Sequence, residues 1–379
     1  MKRTRVRLFV GSLEIGGTER NVLHLSRRLC RDGFDVEVWC NYAGQPLEAM
    51  LRDAGVPCFS LKEPSLGRHP LVRLFRYNLP YQRRLFELLS RNRDAVIHVF
   101  GFPMTYYVVL LGALAGARKM VFTIQDWDVW KKSAIYRCLD RLCSRAAARI
   151  IADGAGAAQL AVEEQGIDKN KVRVIYDGVD TAELRPTRPR EATRASLGLK
   201  AGRVAVVVIA RFDVRKKGQD VFLAAARRAI RDAPKAQFVL VGDGPDSGRI
   251  ERIAADLPAA ARPIFAGFRT DLADALEAAD VLVIPSRWES VPKILLEAMW
   301  MKRPVIATRV GDVEEVFDER AGRLVPSDDP KRLAKAIVEL VRDAHLRSRL
   351  GEAGRAMILE KRLTLDDSIR RVRREYETL

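Results

Sequence analysis

Short runs of β-branched residues recur along this chain, and nearly every one is followed by a longer stretch with helical spacing. In the first half, Val6–Val10, Val36–Cys40, Ala95–Phe100, Met120–Ile124, Ile150–Ala152 and Val172–Ile175 read as strands. In the second half, Val204–Ile209, Phe238–Val241, Val281–Ile284, Val305–Ala307 and Arg323–Val325 do so. Segments such as Asp220–Arg231 and Lys331–Arg342 repeat apolar residues at helical intervals between them. This alternation constrains the fold severely. Parallel strands need crossover connections, and the crossing helices then cover both faces of the sheet. The expected fold class is α/β.

At 379 residues the chain exceeds one ordinary core. A break falls between Asp180 and Gly202, where L-R-P-T-R-P-R-E carries two prolines and no strong apolar period, and it reads as a linker. The expected organisation is two Rossmann-like, doubly wound domains facing each other across a cleft. They span residues 1–182 and 200–365, and a C-terminal helix over about 366–379 packs back on the first. Such clefts are preferred ligand sites.

Composition removes several classes. Hydrophobic residues make up 48% and charged residues 30%, which excludes a disordered chain. The five cysteines form no C-x-x-C pair and no Cys/His cluster of zinc spacing, so neither a structural zinc nor a disulfide framework is expected. That pattern favours a reducing compartment. The apolar part of M-K-R-T-R-V-R-L-F-V-G-S is too short for a signal peptide and reads as a first strand. Tyr106–Ala117 is strongly apolar but too short to span a bilayer, and reads as a buried helix. The expected location is cytoplasmic, or peripheral at the inner face of the cytoplasmic membrane.

Net charge is +17, and residues 1–150 hold 25 Lys+Arg against 13 Asp+Glu. The excess is therefore concentrated in the first part. From Arg68 to Arg93, seven arginines are interleaved with leucines and aromatics such as Phe75, Tyr77, Tyr81 and Phe86. Basic residues among aromatics suit an anionic membrane surface or an anionic lipid-linked substrate, or else form a solvated helix face. Nucleic acid is not the expected partner.

Three places carry chemistry. After the first strand, G-S-L-E-I-G-G-T-E-R leads into a helix, and Gly16 and Gly17 let backbone approach a ligand at a helix N-terminus. This is not G-x-G-x-x-G, and alone it is an ordinary tight turn. After Val204–Ile209, Arg211, Lys216 and Lys217 place cations near a strand's carboxyl end, where they could hold a diphosphate. After Val281–Ile284, Glu289 lies on a loop and Glu297 lies more than one turn into the next helix, with Pro292 at the helix start. Two carboxylates there can accept hydrogen bonds from diols, which sugars and riboses both offer.

Taken together, R-F-D-V-R-K-K-G, V-G-D-G-P, F-A-G-F-R-T-D, A-A-D-V-L-V-I-P-S-R-W-E-S-V-P-K-I-L-L-E-A-M, P-V-I-A-T-R-V-G-D-V-E-E-V and G-R-L-V-P resemble the family four glycosyltransferases in order and spacing. The first half agrees through G-G-T-E, I-H-V-F-G and V-I-Y-D-G-V-D. The resemblance covers nearly the whole chain and is strongest from Val204 to Pro326. It implies a GT-B fold and a retaining, metal-independent enzyme. It also implies roles. Arg211 and Lys217 would grip the donor diphosphate, and Glu289 would bind hydroxyls of the transferred sugar. Ser290 and Val291 would offer backbone amides, and Glu297 would bind the ribose. Gly16 and Gly17 would lie against the donor phosphates, and Gly267 and Phe268 near the base.

Four positions depart from the family pattern. Ser290 replaces glycine. The Arg-to-Lys loop is one residue too long, so Lys216 and Lys217 compete for the phosphate role. Asp177 stands where Asn is usual, and Gln125 stands in the histidine position of T-x-H-D. Gln cannot accept and return a proton. His98, at the end of a strand, is the histidine best placed to face the cleft, and Asp126 and Asp128 are acceptor-side candidates with Gln125. The reading is a retaining glycosyltransferase that moves a sugar from a nucleotide-sugar, with UDP-sugar favoured, to a lipid-linked or lipopolysaccharide-type acceptor. No further cofactor is expected. The alternatives are a nucleotide-sugar epimerase of the same architecture, or a non-catalytic membrane or nucleic-acid binding protein on that scaffold.

Overall fold

The computed structural model of the protein describes residues 3–14, 16–61, 79–101, 104–124 and 134–379. The chain divides into two compact units, Met1–Tyr176 with Ile369–Leu379, and Asp177–Ser368.

In the first unit, seven strands form one parallel sheet in the order β3-β2-β1-β4-β5-β6-β7. They are β1 (Arg5–Val10), β2 (Asp35–Cys40), β3 (Cys58–Ser60), β4 (Val96–Phe100), β5 (Met120–Ile124), β6 (Arg149–Ala152) and β7 (Val172–Val174). The described helices between them are α1 (Gly17–Arg31), α2 (Pro46–Asp53), α3 (Leu79–Arg91), α4 (Met104–Leu114), α5 (Ala134–Ala146) and α6 (Ala155–Glu163). Central strands are buried on both faces, as β4 is along its whole length, which is why they read as continuous apolar runs.

The second unit holds six parallel strands in the order β10-β9-β8-β11-β12-β13. They are β8 (Val204–Ile209), β9 (Ala236–Val241), β10 (Ile264–Phe265), β11 (Val281–Ile284), β12 (Val305–Thr308) and β13 (Gly322–Val325). Its helices are α7 (Arg190–Ser196), α8 (Val214–Lys217), α9 (Gln219–Ala229), α10 (Ser247–Ala255), α11 (Leu272–Ala278), α12 (Lys293–Trp300), α13 (Val313–Val316), α14 (Pro330–Arg342) and α15 (Ala344–Glu360). The last helix, α16 (Leu365–Glu377), starts in this unit, and its residues from Ile369 onward belong to the first. Alternation along β8 sends Val204, Val206 and Val208 into one core with Phe222 and Phe238, and Ala205 and Val207 into another with Leu197 and Val239. Burying each large apolar side chain of this kind contributes about 2 kcal/mol.

Both sheets reverse strand order at their centre, between β1 and β4 and between β8 and β11. Ligands of doubly wound sheets bind at the carboxyl ends of the strands flanking that switch.

The segment read as a linker is folded into the second unit. The Thr187 amide and hydroxyl each donate to the buried Asp274 at 2.7 Å. Arg190 and Arg194 meet the two oxygens of Asp280 at 2.6 and 2.9 Å. Two of its arginines are thus matched to a carboxylate of the second unit. The chain passes between units at Tyr176–Asp177 and again at Ser368–Ile369. Among the described residues, no helix is long and apolar enough to cross a membrane.

Candidate functional site

At the switch point of the second unit, the loops after β8 and β11 are built against each other. Beyond β8, the Phe212 amide donates to Asp243 O at 2.9 Å. Asp213 then caps α8 by accepting from the Lys216 amide at 3.1 Å, and Asp246 accepts from the Val214 amide at 2.8 Å. Gly218 ends this single turn with φ of 63°, and a Cβ there would stand 2.0 Å from Pro285 O. Only glycine allows this approach, which carries Lys217 up to the loop after β11.

There the Lys217 Nζ lies 2.5 Å from Glu289 Oε1, and the Ser286 hydroxyl donates to the same oxygen at 2.7 Å. Glu289 is 7% exposed and Ser286 1%. Glu289 Oε2 has no hydrogen-bond partner among the described residues. The loop itself is clamped from β12. The Thr308 hydroxyl donates to Ser286 O at 2.5 Å, and the Asp312 amide donates to Ser290 O at 3.2 Å. Gly311, at φ of 55°, lies so close that a Cβ would sit 1.7 Å from Glu289 O. Val291 is half-buried, and its amide makes no hydrogen bond among the described residues. Pro292 is the N-cap of α12, just before Lys293.

The other predicted residues fall around this pair. Arg211 is exposed, and its guanidinium has no partner among the described residues. Its carbonyl accepts from the buried Gln219 side chain at 2.8 Å. Lys216 is half-buried, and only its backbone is engaged with the β11 loop, through the Arg287 amide at 2.8 Å. The structure thus brings Lys217, not Lys216, to Glu289. Glu297 is half-buried on α12. After β10, Gly267 has φ of 66° and its carbonyl accepts from the Gly242 amide at 2.8 Å, while Phe268 is 70% exposed. After β9, the Ser247 hydroxyl and the Gly244 amide hold the Asp243 carboxyl below the usual carboxylate range. Asp177, the departure from Asn, pairs with Lys293 at 3.8 Å. Residue-type reasoning missed Ser286, although it is the last residue of V-L-V-I-P-S.

In the first unit, Gly16 is the N-cap of α1 and Gly17 its first residue, beyond the carboxyl end of β1. The Glu19 carboxylate folds back over Gly16, where a Cβ would meet Oε2 at 2.3 Å. His98 does not face solvent. It is 1% exposed, its Nδ1 meets the Tyr376 hydroxyl, and its Nε2 lies 2.7 Å from Thr123 Oγ1. Burial lowers its pKa to about 3. Nδ1 thus ties α16 to the sheet and Nε2 is taken up by the neighbouring strand β5, so the buried ring does not face a ligand, contrary to the expectation. Gln125, Asp126 and Asp128 lie outside the described residues, as does Arg68–Asn78 of the basic patch. The described remainder of that patch includes Arg83, Arg84 and Arg91, all exposed on α3.

Comparisons with known proteins agree with this architecture. Residues 15–183 match the family described as Glycosyltransferase Family 4, and residues 203–343 match Glycosyl transferases group 1. A D-inositol 3-phosphate glycosyltransferase 2 from Catenulispora acidiphila is 34% identical over 384 residues, covering 90% of this chain and 86% of that protein. The UDP-Gal:alpha-D-GlcNAc-diphosphoundecaprenol alpha-1,3-galactosyltransferase of Escherichia coli is 26% identical over 357 residues, with 90% of each chain covered. Among solved structures, a glycosyltransferase from Rickettsia africae superposes with a TM-score of 0.84 at 18% identity, covering 100% of this chain and 99% of that one. Anabaena HepE, solved with UDP, gives 0.81 at 20% identity, covering 99% and 100%. These structures share the GT-B fold, and the family matches leave no ground for the epimerase alternative. The chain belongs to the group 1 glycosyltransferases.

Proposed function

We propose that the protein is a retaining glycosyltransferase that takes a UDP-sugar as donor and a lipid-linked or lipopolysaccharide-type glycan as acceptor. One observation carries the donor site. A shielded carboxylate, Glu289, is fixed by Lys217 and Ser286 at a topological switch point, and Arg211, whose guanidinium has no partner among the described residues, follows β8 there. Glu289 Oε2 accepts from hydroxyls of the transferred sugar. Arg211 and Lys217 neutralise the diphosphate as negative charge develops on the leaving oxygen. Glu297 accepts from the ribose, and the Val291 amide donates toward the phosphates. In the reaction, an acceptor hydroxyl forms a new bond to the anomeric carbon while the bond to the diphosphate breaks. The proton passes to the departing phosphate, and the products are glycosylated acceptor and nucleoside diphosphate.

The E. coli relative is named for a UDP-Gal donor and a diphosphoundecaprenol-linked acceptor, and HepE has been solved with UDP-glucose. Both support the donor and acceptor classes proposed here. A lipid-linked acceptor places the enzyme at the inner face of the membrane, where the exposed arginines of α3 would favour anionic headgroups.

Titration with UDP-, GDP- and ADP-sugars in EDTA tests the donor reading. UDP-sugars should bind without a divalent ion, and Glu297→Ala should weaken UDP about tenfold or more, the loss of one or two hydrogen bonds. If no nucleotide-sugar binds, the transferase reading fails.

A further inference from the structure

We propose that Arg287 is a positioning residue that holds the Lys217–Glu289 pair in register, a role that rests on the donor-site reading above. Among the described residues it bonds to neither member of the pair. Instead it fastens the two segments that carry them. Its amide donates to Lys216 O at 2.8 Å. Its guanidinium donates to Val214 O at 2.5 Å, to both oxygens of Asp220 at 3.1 and 2.9 Å, and to Asp328 Oδ1 at 2.8 Å.

These anchors bracket Lys217 along the chain, since Val214 precedes it on α8 and Asp220 follows it on α9. Glu289 lies just beyond Arg287 on its own loop. One planar group therefore ties the backbone before the lysine and the Asp220 side chain after it to the loop bearing the carboxylate. Asp328 reaches the guanidinium from the loop before α14, at φ of 57°. This left-handed conformation is uncommon outside glycine, although aspartate tolerates it. A lysine at 287 would keep the charge but has a single nitrogen, and cannot span Val214, Asp220 and Asp328 at once. Without the fork, Lys217 and Glu289 keep their chemistry and lose their spacing. Misplacement by about 1 Å is enough to slow a positioned reaction about 100-fold.

The test compares Arg287→Lys with the wild type by donor kinetics and by amide hydrogen exchange, with Asp220→Asn as a milder second variant. Arg287→Lys should stay folded and lower kcat about 100-fold, with donor KM changed less than about threefold. Exchange should quicken across residues 214–220 and 286–291. In a Lys217→Ala background the same substitution should have no further effect on kcat. Unchanged exchange in both variants overturns the proposal, whatever the donor screen gives. An equal loss of kcat in both backgrounds also overturns it, and would make Arg287 a general prop of the fold. Faster exchange, with a wild-type protein that turns over no nucleotide-sugar, supports the positioning role and sinks the donor reading instead.

Discussion

Glu289 and His98 show two opposite uses of a buried polar side chain. Glu289 retains one oxygen without a partner among the described residues, whereas both His98 ring nitrogens are occupied. The His98 ring is engaged inside the first unit, and burial gives it an effect on stability. Burial holds its folded-state pKa near 3, against 6.5 for an ordinary histidine. Above pH 6.5 both folded and unfolded forms are neutral there, and the group costs nothing. As pH falls below 6.5 the unfolded chain gains a proton that the folded chain refuses, so stability is lost down to about pH 3. Denaturant unfolding should show this loss between pH 6.5 and 4, on the order of 3 kcal/mol, and His98→Gln should flatten it. The sequence could not reveal this fate. Tyr376 is 278 residues from His98, and a strand residue does not announce which distant helix will cover it. The position of Glu289 on the loop after β11 was legible because the apolar strand Val281–Ile284 and the helix-starting Pro292 bracket that loop in sequence.

At the scale of elements, the loop after β11 is positioned by sterics as much as by hydrogen bonds. Gly311 has a left-handed φ, and a Cβ there would overlap Glu289 O. Gly311→Ala should destabilise the protein by at least about 2 kcal/mol and also lower transfer activity, as the Glu289 loop is displaced. Gly248→Ala on α10 is the control. A Cβ there meets nothing within 4 Å, so stability should hold or rise by about 0.5 kcal/mol. Thermal unfolding of both variants checks the contrast. Strands such as β4, β8 and β11 were legible as apolar runs buried on both faces, and β2 by its alternation. The strands that escaped notice, Cys58–Ser60 and Ile264–Phe265, are short and lie at sheet edges, where too few residues are present to show a period. The region from Asp180 to Gly202 misled for a different reason. Its prolines and arginines have the composition of a linker, but Arg190 and Arg194 are matched to Asp280, far along the chain.

At the scale of the whole molecule, each unit has its own sheet and core, but the first is completed by the last residues of the chain. Ile369 and Tyr376 are buried, Glu375 pairs with Arg149 at 3.1 Å, and Arg373 pairs with Asp32 at 3.2 Å. Removing residues 369–379 would uncover His98 and should cost the first unit at least about 3 kcal/mol, the scale of deleting one large core side chain. Hydrogen exchange should show the loss in the first sheet while β8–β13 stay protected. Equal loss in both sheets would contradict this division. The Lys217–Glu289–Ser286 cluster, by contrast, lies wholly within Asp177–Ser368. We propose that the carboxylate held by Lys217 and Ser286 works on the sugar being transferred. The most direct measurement is nucleoside diphosphate release from a bound UDP-sugar in the presence of a lipid-linked acceptor, comparing wild type with Glu289→Ala. Acceptor-dependent release should fall at least about 100-fold in the variant, with UDP affinity nearly unchanged. Release by Glu289→Ala at the wild-type rate would contradict it.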